Sequence, residues 1–492
     1  MAPNTQSQQQ QEKLHIFFFP FMSPGHQIPM VDLAKLISSR SVTTSILSTP
    51  LNLSRFRSSI LRHNVSTSSS SINILLLHFP TTTENLDSLP SRFQSNTFTQ
   101  STTLLQPQAD DLIRLHQPDA IISDINLPWT AQISRKYNIP RITFSATSFF
   151  SLCVTDSITK FKPYEFVTHD FEPFLVPGLP HTVGISRSQM PGRFFRDMGL
   201  QQFFAQIIEA ERDSYGVVAN TFCAIEREYV EHYRKTSGKK VWPIGPVSLC
   251  NDKVLDMVER GNKASIDMDQ CLTWLDSKEP NSVIYVCFGG LCVFPESQLV
   301  EIGLGLEASD CNFIWVIREG FRVGLAIDDL EERVKGRGII MKGWAPQILI
   351  LNHPAVGGFL THCGWNSVIE AVSFGVPVIT WPLFAEQFYN ERFVVAHLRI
   401  GFGIGVVDTG LEWGSEEESG VLVKRNRVKA AVQRLMGVGE SVREMREQVS
   451  RLSELARSAV SEGGSSNVSL DLLIVDLLAQ RKERLAKGEE IN

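Results

Sequence analysis

Several absences narrow this chain before any motif is read. The apolar run from His15 to Phe21 is far shorter than the roughly 20 residues a membrane helix needs. Residues 1–13 are polar and glutamine-rich, with no apolar stretch before a cleavage site, so no secretory leader is expected. The 8 cysteines form no CxxC pair and no recurrent spacing. That speaks against a disulfide framework or a zinc site and for reduced, packed thiols. Excess positive charge is missing too: Lys and Arg number 47 against 53 Asp and Glu, for a net charge of -6. That balance gives no support for a nucleic-acid partner or for binding to an anionic membrane, and with so short an apolar run no stable membrane insertion is expected. The sequons at Asn52, Asn64 and Asn467 are then expected to stay unmodified, in a cytosolic protein.

At 492 residues, with 43% apolar and 20% charged, the chain has an ordinary globular balance and is too long for one core. Leu14 to Phe19 (LHIFFF) reads as a parallel strand buried on both faces. Ile28 to Ser38 follows as a helix, with His26 at the junction, where a helix N-terminus favours neutral imidazole. Thr43 to Ser48, Ile72 to Phe79, Ala120 to Asp124 and Arg141 to Phe144 read as further strands, with a helix over Trp129 to Tyr137. This alternation predicts a doubly wound parallel sheet. Right-handed crossovers put His26 and Asp124 on one sheet edge, where the carboxylate could fix the imidazole tautomer. From local sequence alone, a capping or surface histidine and a strand-end aspartate remain competing readings. Phe149, Phe150, Met190, Phe194, Phe195 and Phe203 fall in loop-like settings and are candidates for an apolar pocket.

The second half repeats the pattern from Ser282 to Phe288 onward, after a polar stretch, Cys250 to Asp267, without sustained periodicity. Gly303 to Ala308 matches GxGxxA but lies inside a helical pattern, so it is a decoy. The organising stretch is Trp344 to Gln387. Val356 to Thr361 reads as a buried strand, His362 to Trp365 as a turn, and Asn366-Ser367 as cap chemistry opening a helix that ends at Gly375. A strand feeding a polar turn at a helix N-terminus cradles a diphosphate. Glu370, one turn after Asn366, suits a ribose diol, and Trp344 offers a flat surface for a base. Glu386 and Gln387 follow the next strand, with acceptors and donors suited to sugar hydroxyls.

This stretch resembles, nearly position for position, the secondary product glycosyltransferase box of the plant family 1 UDP-sugar glycosyltransferases. The resemblance implies that Trp344 stacks on uracil and the Ala345 backbone pairs with its edge. Gln347 and Glu370 would hold the ribose, and His362, Asn366 and Ser367 the diphosphate. Trp365, Glu386 and Gln387 would contact the sugar. Gln at the last box position accompanies glucose donors in that family. FPFMSPGHQIPMVDLAKLI and PDAIISDINLPW resemble the segments that carry the family's catalytic histidine and its aspartate, at His26 and Asp124. Gly289-Gly290 departs from the usual Gly-Ser, removing one side-chain donor near a phosphate.

The implied fold is GT-B, an α/β architecture of two Rossmann-like domains facing a cleft. The expected divisions are a disordered tail at 1–13, an acceptor-binding domain at 14–249 and a linker at 250–268. A UDP-sugar-binding domain at 269–470 and a terminal helix at 471–492, returning to the first domain, complete the chain. The implied activity is an inverting, metal-independent transfer of glucose from UDP-glucose to a hydroxyl of a small apolar plant metabolite of flavonoid, triterpenoid or steroid type. UDP-glucose is a co-substrate, no cofactor is expected, and the chain is expected to be a monomer. Rival readings are another donor (UDP-galactose or UDP-glucuronate), a non-catalytic nucleotide-sugar-binding protein, and a nicotinamide oxidoreductase. The last wants a glycine fingerprint after the first strand, and PFMSPGH is not one.

Overall fold

The computed structural model describes residues 13–67, 71–89, 94–191, 199–318, 325–408 and 420–488. Phe194 and Phe195, nearly all of the tail, and the interior of the acidic loop at 408–420 lie outside them.

Two parallel sheets organise the chain. The first has seven strands in the order β3-β2-β1-β4-β5-β8-β9. These are β1 (His15–Phe19), β2 (Thr43–Ser48), β3 (Ile72–Leu76), β4 (Ala120–Asp124), β5 (Arg141–Ser145), β8 (Gly216–Ala219) and β9 (Lys240–Pro243). A short antiparallel hairpin, β6 (Pro173–Leu175) and β7 (Gly184–Ser186), stands apart from them. The second sheet has six strands in the order β12-β11-β10-β13-β14-β15. They are β10 (Val283–Cys287), β11 (Asn312–Ile317), β12 (Gly338–Lys342), β13 (Val356–Thr361), β14 (Val378–Thr380) and β15 (Gly401–Gly403). β4, β5 and β13 are buried at every residue, which accounts for their largely apolar or small side chains, with the buried Arg141 opening β5 and Asp124 closing β4.

The helices that matter to the site are α1 (Pro24–Ser38), α2 (Phe149–Phe161), α3 (Cys223–Ser237), α4 (Trp365–Phe374), α5 (Gln387–Arg392), α6 (Glu440–Val460) and α7 (Ser465–Ala486). α7 crosses back to the first sheet. Its Leu470, Leu473 and Leu477 join the core around β1 and β4, and Arg484 Nη2 reaches Asp119 Oδ1 at 2.9 Å. Among the described residues no helix is long and apolar enough to span a membrane.

Each sheet has a switch point. Strand order reverses at β1, between β2 and β4, and again at β10, between β11 and β13. Ligands of open α/β sheets sit beyond the strand C-termini at such points. The GxGxxA match does lie within a helix, Glu296–Ala308, where a Cβ on Gly305 would stand 2.6 Å from Val428 Cβ. Close helix packing accounts for that glycine.

Two expectations are corrected here. Phe149 and Phe150 are not loop residues: Ser148 caps α2, its side chain accepting from Ser151 N at 3.0 Å, and both rings are buried in core. Phe150 stacks on Phe393 across the domain seam, with centroids 4.8 Å apart, and Met190 packs beside the same core. The stretch 250–268 also contains a short helix, Val254–Val258, and a half-buried arginine that composition did not suggest.

Candidate active site

The cleft between the sheets, about 1150 Å³, is lined from both domains. On the first domain, β1 ends at Phe19 beside Ser123 of β4, so the residues after each strand meet. His26 occupies the first turn of α1, and Asp124 closes β4. His26 Nδ1 and Asp124 Oδ2 are 2.8 Å apart, while Asp124 Oδ1 accepts from the Asn126 amide at 2.9 Å. Asp124 is fully buried and His26 half-buried. With Nδ1–H donating to the carboxylate, Nε2 carries the lone pair.

The helix-terminus argument for a depressed His26 pKa does not hold. Burial does lower it, but the Asp124 charge and hydrogen bond, with Glu386 across the cleft, outweigh burial and raise it. The edge of the Phe21 ring packs on the imidazole, with centroids 5.5 Å apart.

The second domain supplies the opposite wall. α4 starts at Trp365 with Gly364 before it, so Asn366 and Ser367 lie inside the first turn and do not cap it as the sequence suggested. Their side chains are used elsewhere. Asn366 Nδ2 donates to the Gly25 carbonyl at 2.5 Å, and Asn220 Nδ2 donates to Asn366 Oδ1 at 3.2 Å. Gln347 Nε2 donates to Ser367 Oγ at 3.2 Å and to Glu370 Oε2 at 2.7 Å. Gly364, at the N-cap, has no side chain to occupy the α4 amides, and while the Trp365 amide interacts with the Glu386 carboxylate, the helix start lines the cleft as an anion cradle.

His362 follows β13, and burial pushes its pKa down to about 4. It is a neutral donor or acceptor, and its Nδ1 has no hydrogen-bond partner among the described residues. Gly289 crosses the ring so closely, at φ +74°, that a Cβ there would sit 2.8 Å from His362 Nε2. At Gly290 a Cβ would meet nothing within 4 Å.

Trp344, half-buried, and Ala345, buried, line the same wall, and Trp344 Nε1 also lacks a partner among the described residues. Trp365 lines the cleft but is 1% exposed, and its indole donates to the Asn220 carbonyl at 2.9 Å. Gln387 Oε1 accepts from the Leu383 and Phe384 amides at 2.9 and 3.1 Å, leaving its amide nitrogen available. Burial pushes the Glu386 carboxyl up, and Asn390 Nδ2 reaches its Oε1 at 3.2 Å. Phe203 lines the cleft with its neighbour Phe204, on the helix Gln201–Arg212.

Sequence reasoning missed the residues that join the two walls. Arg260, half-buried in the interdomain stretch with its side chain 9% exposed, donates from Nε to Asp32 Oδ2 of α1 and from Nη1 to Glu370 Oε1 of α4, each at 2.7 Å. Asn220 follows β8 and touches both Asn366 and Trp365. Ser151 Oγ of α2 donates to Asn390 Oδ1 of α5 at 2.9 Å. No periodicity could have found these, since each pairing spans more than 100 residues.

Comparison with known proteins adds an independent line. Residues 239–402 match the profile of the family described as UDP-glucoronosyl and UDP-glucosyl transferase. The chain is 44% identical over 475 residues to a scopoletin glucosyltransferase of Nicotiana tabacum, covering 94% of this chain and 98% of that one. It is 44% identical to UDP-glycosyltransferase 73C3 of Arabidopsis thaliana, covering 94% and 96%. Among solved structures, Glycyrrhiza uralensis UGT73P12 with glycyrrhetinic acid 3-O-monoglucuronide superposes with TM-score 0.88 at 37% identity, covering 97% and 98%. Medicago truncatula UGT71G1 with UDP-glucose gives 0.76 at 26%, covering 95% and 98%.

Proposed function

This chain belongs to the plant family 1 UDP-glycosyltransferases, and from that premise we propose that it is an inverting glucosyltransferase. It takes glucose from UDP-glucose and forms a β-O-glucoside on a hydroxyl of an apolar plant metabolite. The acceptor is a flavonoid, triterpenoid or steroid, as aglycone or as glycoside. The domain at 14–249 binds the acceptor and that at 269–470 binds the donor, in a monomeric cytosolic protein.

His26 Nε2 takes the proton of the acceptor hydroxyl, and Asp124 stabilises the imidazolium that forms. The acceptor oxygen bonds to C1 of glucose from the face opposite UDP. The bond from C1 to the diphosphate oxygen breaks, and its electron pair leaves with UDP. The charge developing on the diphosphate falls on the α4 amides, Asn366, Ser367 and His362. These donors perform the role a metal takes in other transferases, so the reaction needs no metal or cofactor.

Trp344 stacks on uracil, whose edge pairs with the Ala345 backbone, and Gln347 and Glu370 hold the ribose. Glu386 and Gln387 bind glucose hydroxyls, while Trp365 contributes ring surface alone, because its N–H is engaged by Asn220.

The observation that carries this reading is the 2.8 Å His26–Asp124 pair facing the uncapped N-terminus of α4 across one cleft. The test is a mass-spectrometric transfer assay. It offers UDP-glucose, UDP-galactose and UDP-glucuronate with scopoletin, quercetin and glycyrrhetinic acid 3-O-monoglucuronide. A hexose adduct from UDP-glucose alone is expected. Adducts only from another donor would overturn the glucose assignment, and none from any donor despite UDP binding would favour a sensor.

A further inference from the structure

Outside the cleft, three side chains converge where the domains touch. His181 lies in the loop joining β6 to β7, and Glu228 lies on α3. His397 comes from the other domain, on a six-residue π-helical turn, Phe393–Leu398, that continues α5. One ligating atom from each lies within 4.8 Å of the other two. The imidazole rings meet edge to face with centroids 4.2 Å apart, and His181 Nε2 is 3.7 Å from Glu228 Oε2. None of the three lines the cleft.

The surroundings prepare this cluster. His181 Nδ1 is 3.3 Å from the Tyr229 hydroxyl, and Tyr229 is fully buried. In the tautomer a metal selects, Nδ1–H donates to that phenol oxygen. Nε2, on the Glu228 side, then keeps its lone pair. Metal-ligating histidines are oriented in this way, through a hydrogen bond at the other ring nitrogen. π-Helical turns are uncommon and recur at functional sites.

We propose that His181, Glu228 and His397 form a binding site for a divalent transition metal of the zinc class, bridging the two domains. Two imidazoles and one carboxylate are the donors of Zn²⁺, Co²⁺, Ni²⁺ and Cu²⁺ sites, whereas Mg²⁺ and Ca²⁺ take oxygen ligands. Three protein ligands leave a fourth tetrahedral position to water. Metal–ligand distances of about 2.0–2.2 Å require the side chains to close slightly. The His181 and Glu228 side chains, 40% and 60% exposed, have solvent in which to turn. The site takes no part in glycosyl transfer. It binds where Phe150, Tyr229 and Phe393 already pack the domains together.

The test titrates the fully reduced, full-length chain with ZnCl2 by calorimetry and follows thermal unfolding with and without the metal. One zinc per chain and a raised Tm are expected, because a ligand that binds only the folded state stabilises it. His181→Ala and His397→Ala should each abolish both effects. Tyr229→Phe, which keeps the ring but loses the orienting oxygen, should weaken binding about tenfold. Co²⁺ should give tetrahedral ligand-field bands in wild type without sulfur charge-transfer absorption, a readout that needs no variant to fold. No zinc binding, binding that survives both histidine substitutions, an equal Tm gain with MgCl2, or a thiolate spectrum would each overturn the proposal.

Discussion

The side-chain amide of Asn366, at the start of α4, donates to the carbonyl of Gly25, one residue before His26, at 2.5 Å. The donor-side helix is thereby fastened to the turn that presents the base. Any shift of one domain against the other moves both partners of the reaction, so activity here depends on alignment across the seam.

His26 and Asp124 make the first prediction. His26→Ala should lower transfer by at least about 10²–10⁴-fold. UDP affinity, read by calorimetry, should stay near wild type. The pH profile gives the sharper test. Transfer needs unprotonated Nε2, and although burial lowers the His26 pKa, Asp124 wins and raises it above 6.5. The rate should therefore climb with pH through a value above 6.5. Asp124→Asn removes that raising effect, so the acid limb should move to lower pH while the plateau falls. A limb that stays in place would rule out the pairing.

Arg260 is the second. Arg260→Ala leaves two buried carboxylates, Asp32 and Glu370, without their shared cation. Breaking a buried pair by removing one partner costs roughly 3–5 kcal/mol. Chemical denaturation should show a loss of that order, and KM for UDP-glucose should rise because Glu370 is no longer held. An unchanged midpoint would mean that the two carboxylates find other partners.

The adjacent glycines after β10 should respond in opposite ways. Gly289→Ala drives a Cβ into the His362 ring at positive φ, so donor binding should collapse. Gly290→Ser meets open space and adds a hydroxyl where the box faces the diphosphate. A hydrogen bond to a charged group is worth about 1.5–3 kcal/mol, so KM for UDP-glucose should fall about tenfold or more with little change in kcat. Steady-state kinetics on both variants decides this, and a rise in KM for Gly290→Ser would count against it.

Gln387→Glu keeps the oxygen that accepts from Leu383 and Phe384 but removes the amide donor. KM for UDP-glucose should rise about tenfold, the loss of roughly one good hydrogen bond. Affinity for UDP itself should hold. Equal losses for UDP-glucose and UDP would show that Gln387 supports the loop and not the sugar.

Much of this architecture is legible in the sequence because parallel strands buried on both faces leave unbroken apolar runs. Right-handed crossovers put the ends of the run before His26 and of the run ending at Asp124 on one sheet edge, and the strand order makes the two strands neighbours. Local chemistry misled where two signals compete. Asn366 and Ser367 resemble caps, yet Gly364 holds that place, leaving Asn366 to reach Gly25 across the cleft and Ser367 to accept from Gln347 within its own domain. The Ser148 cap was a readable signal that α2 begins at Phe149, outweighed by aromatic content. Arg260, Asp32 and Asn220 left no trace, since their partners are set by how two separately folded sheets dock.

The return of α7 to the first sheet has a mechanical consequence. Two bodies joined by one strand of chain can twist about any axis through the joint. Here the chain passes between them twice, once at 250–268 and again ahead of Ser465, and the second passage is pinned by Arg484 on Asp119 and by Asp476 on Tyr215. Two anchored passages leave one soft rotation, about the line that joins them. The walls can part and meet like a book, while the register of one page against the other is preserved.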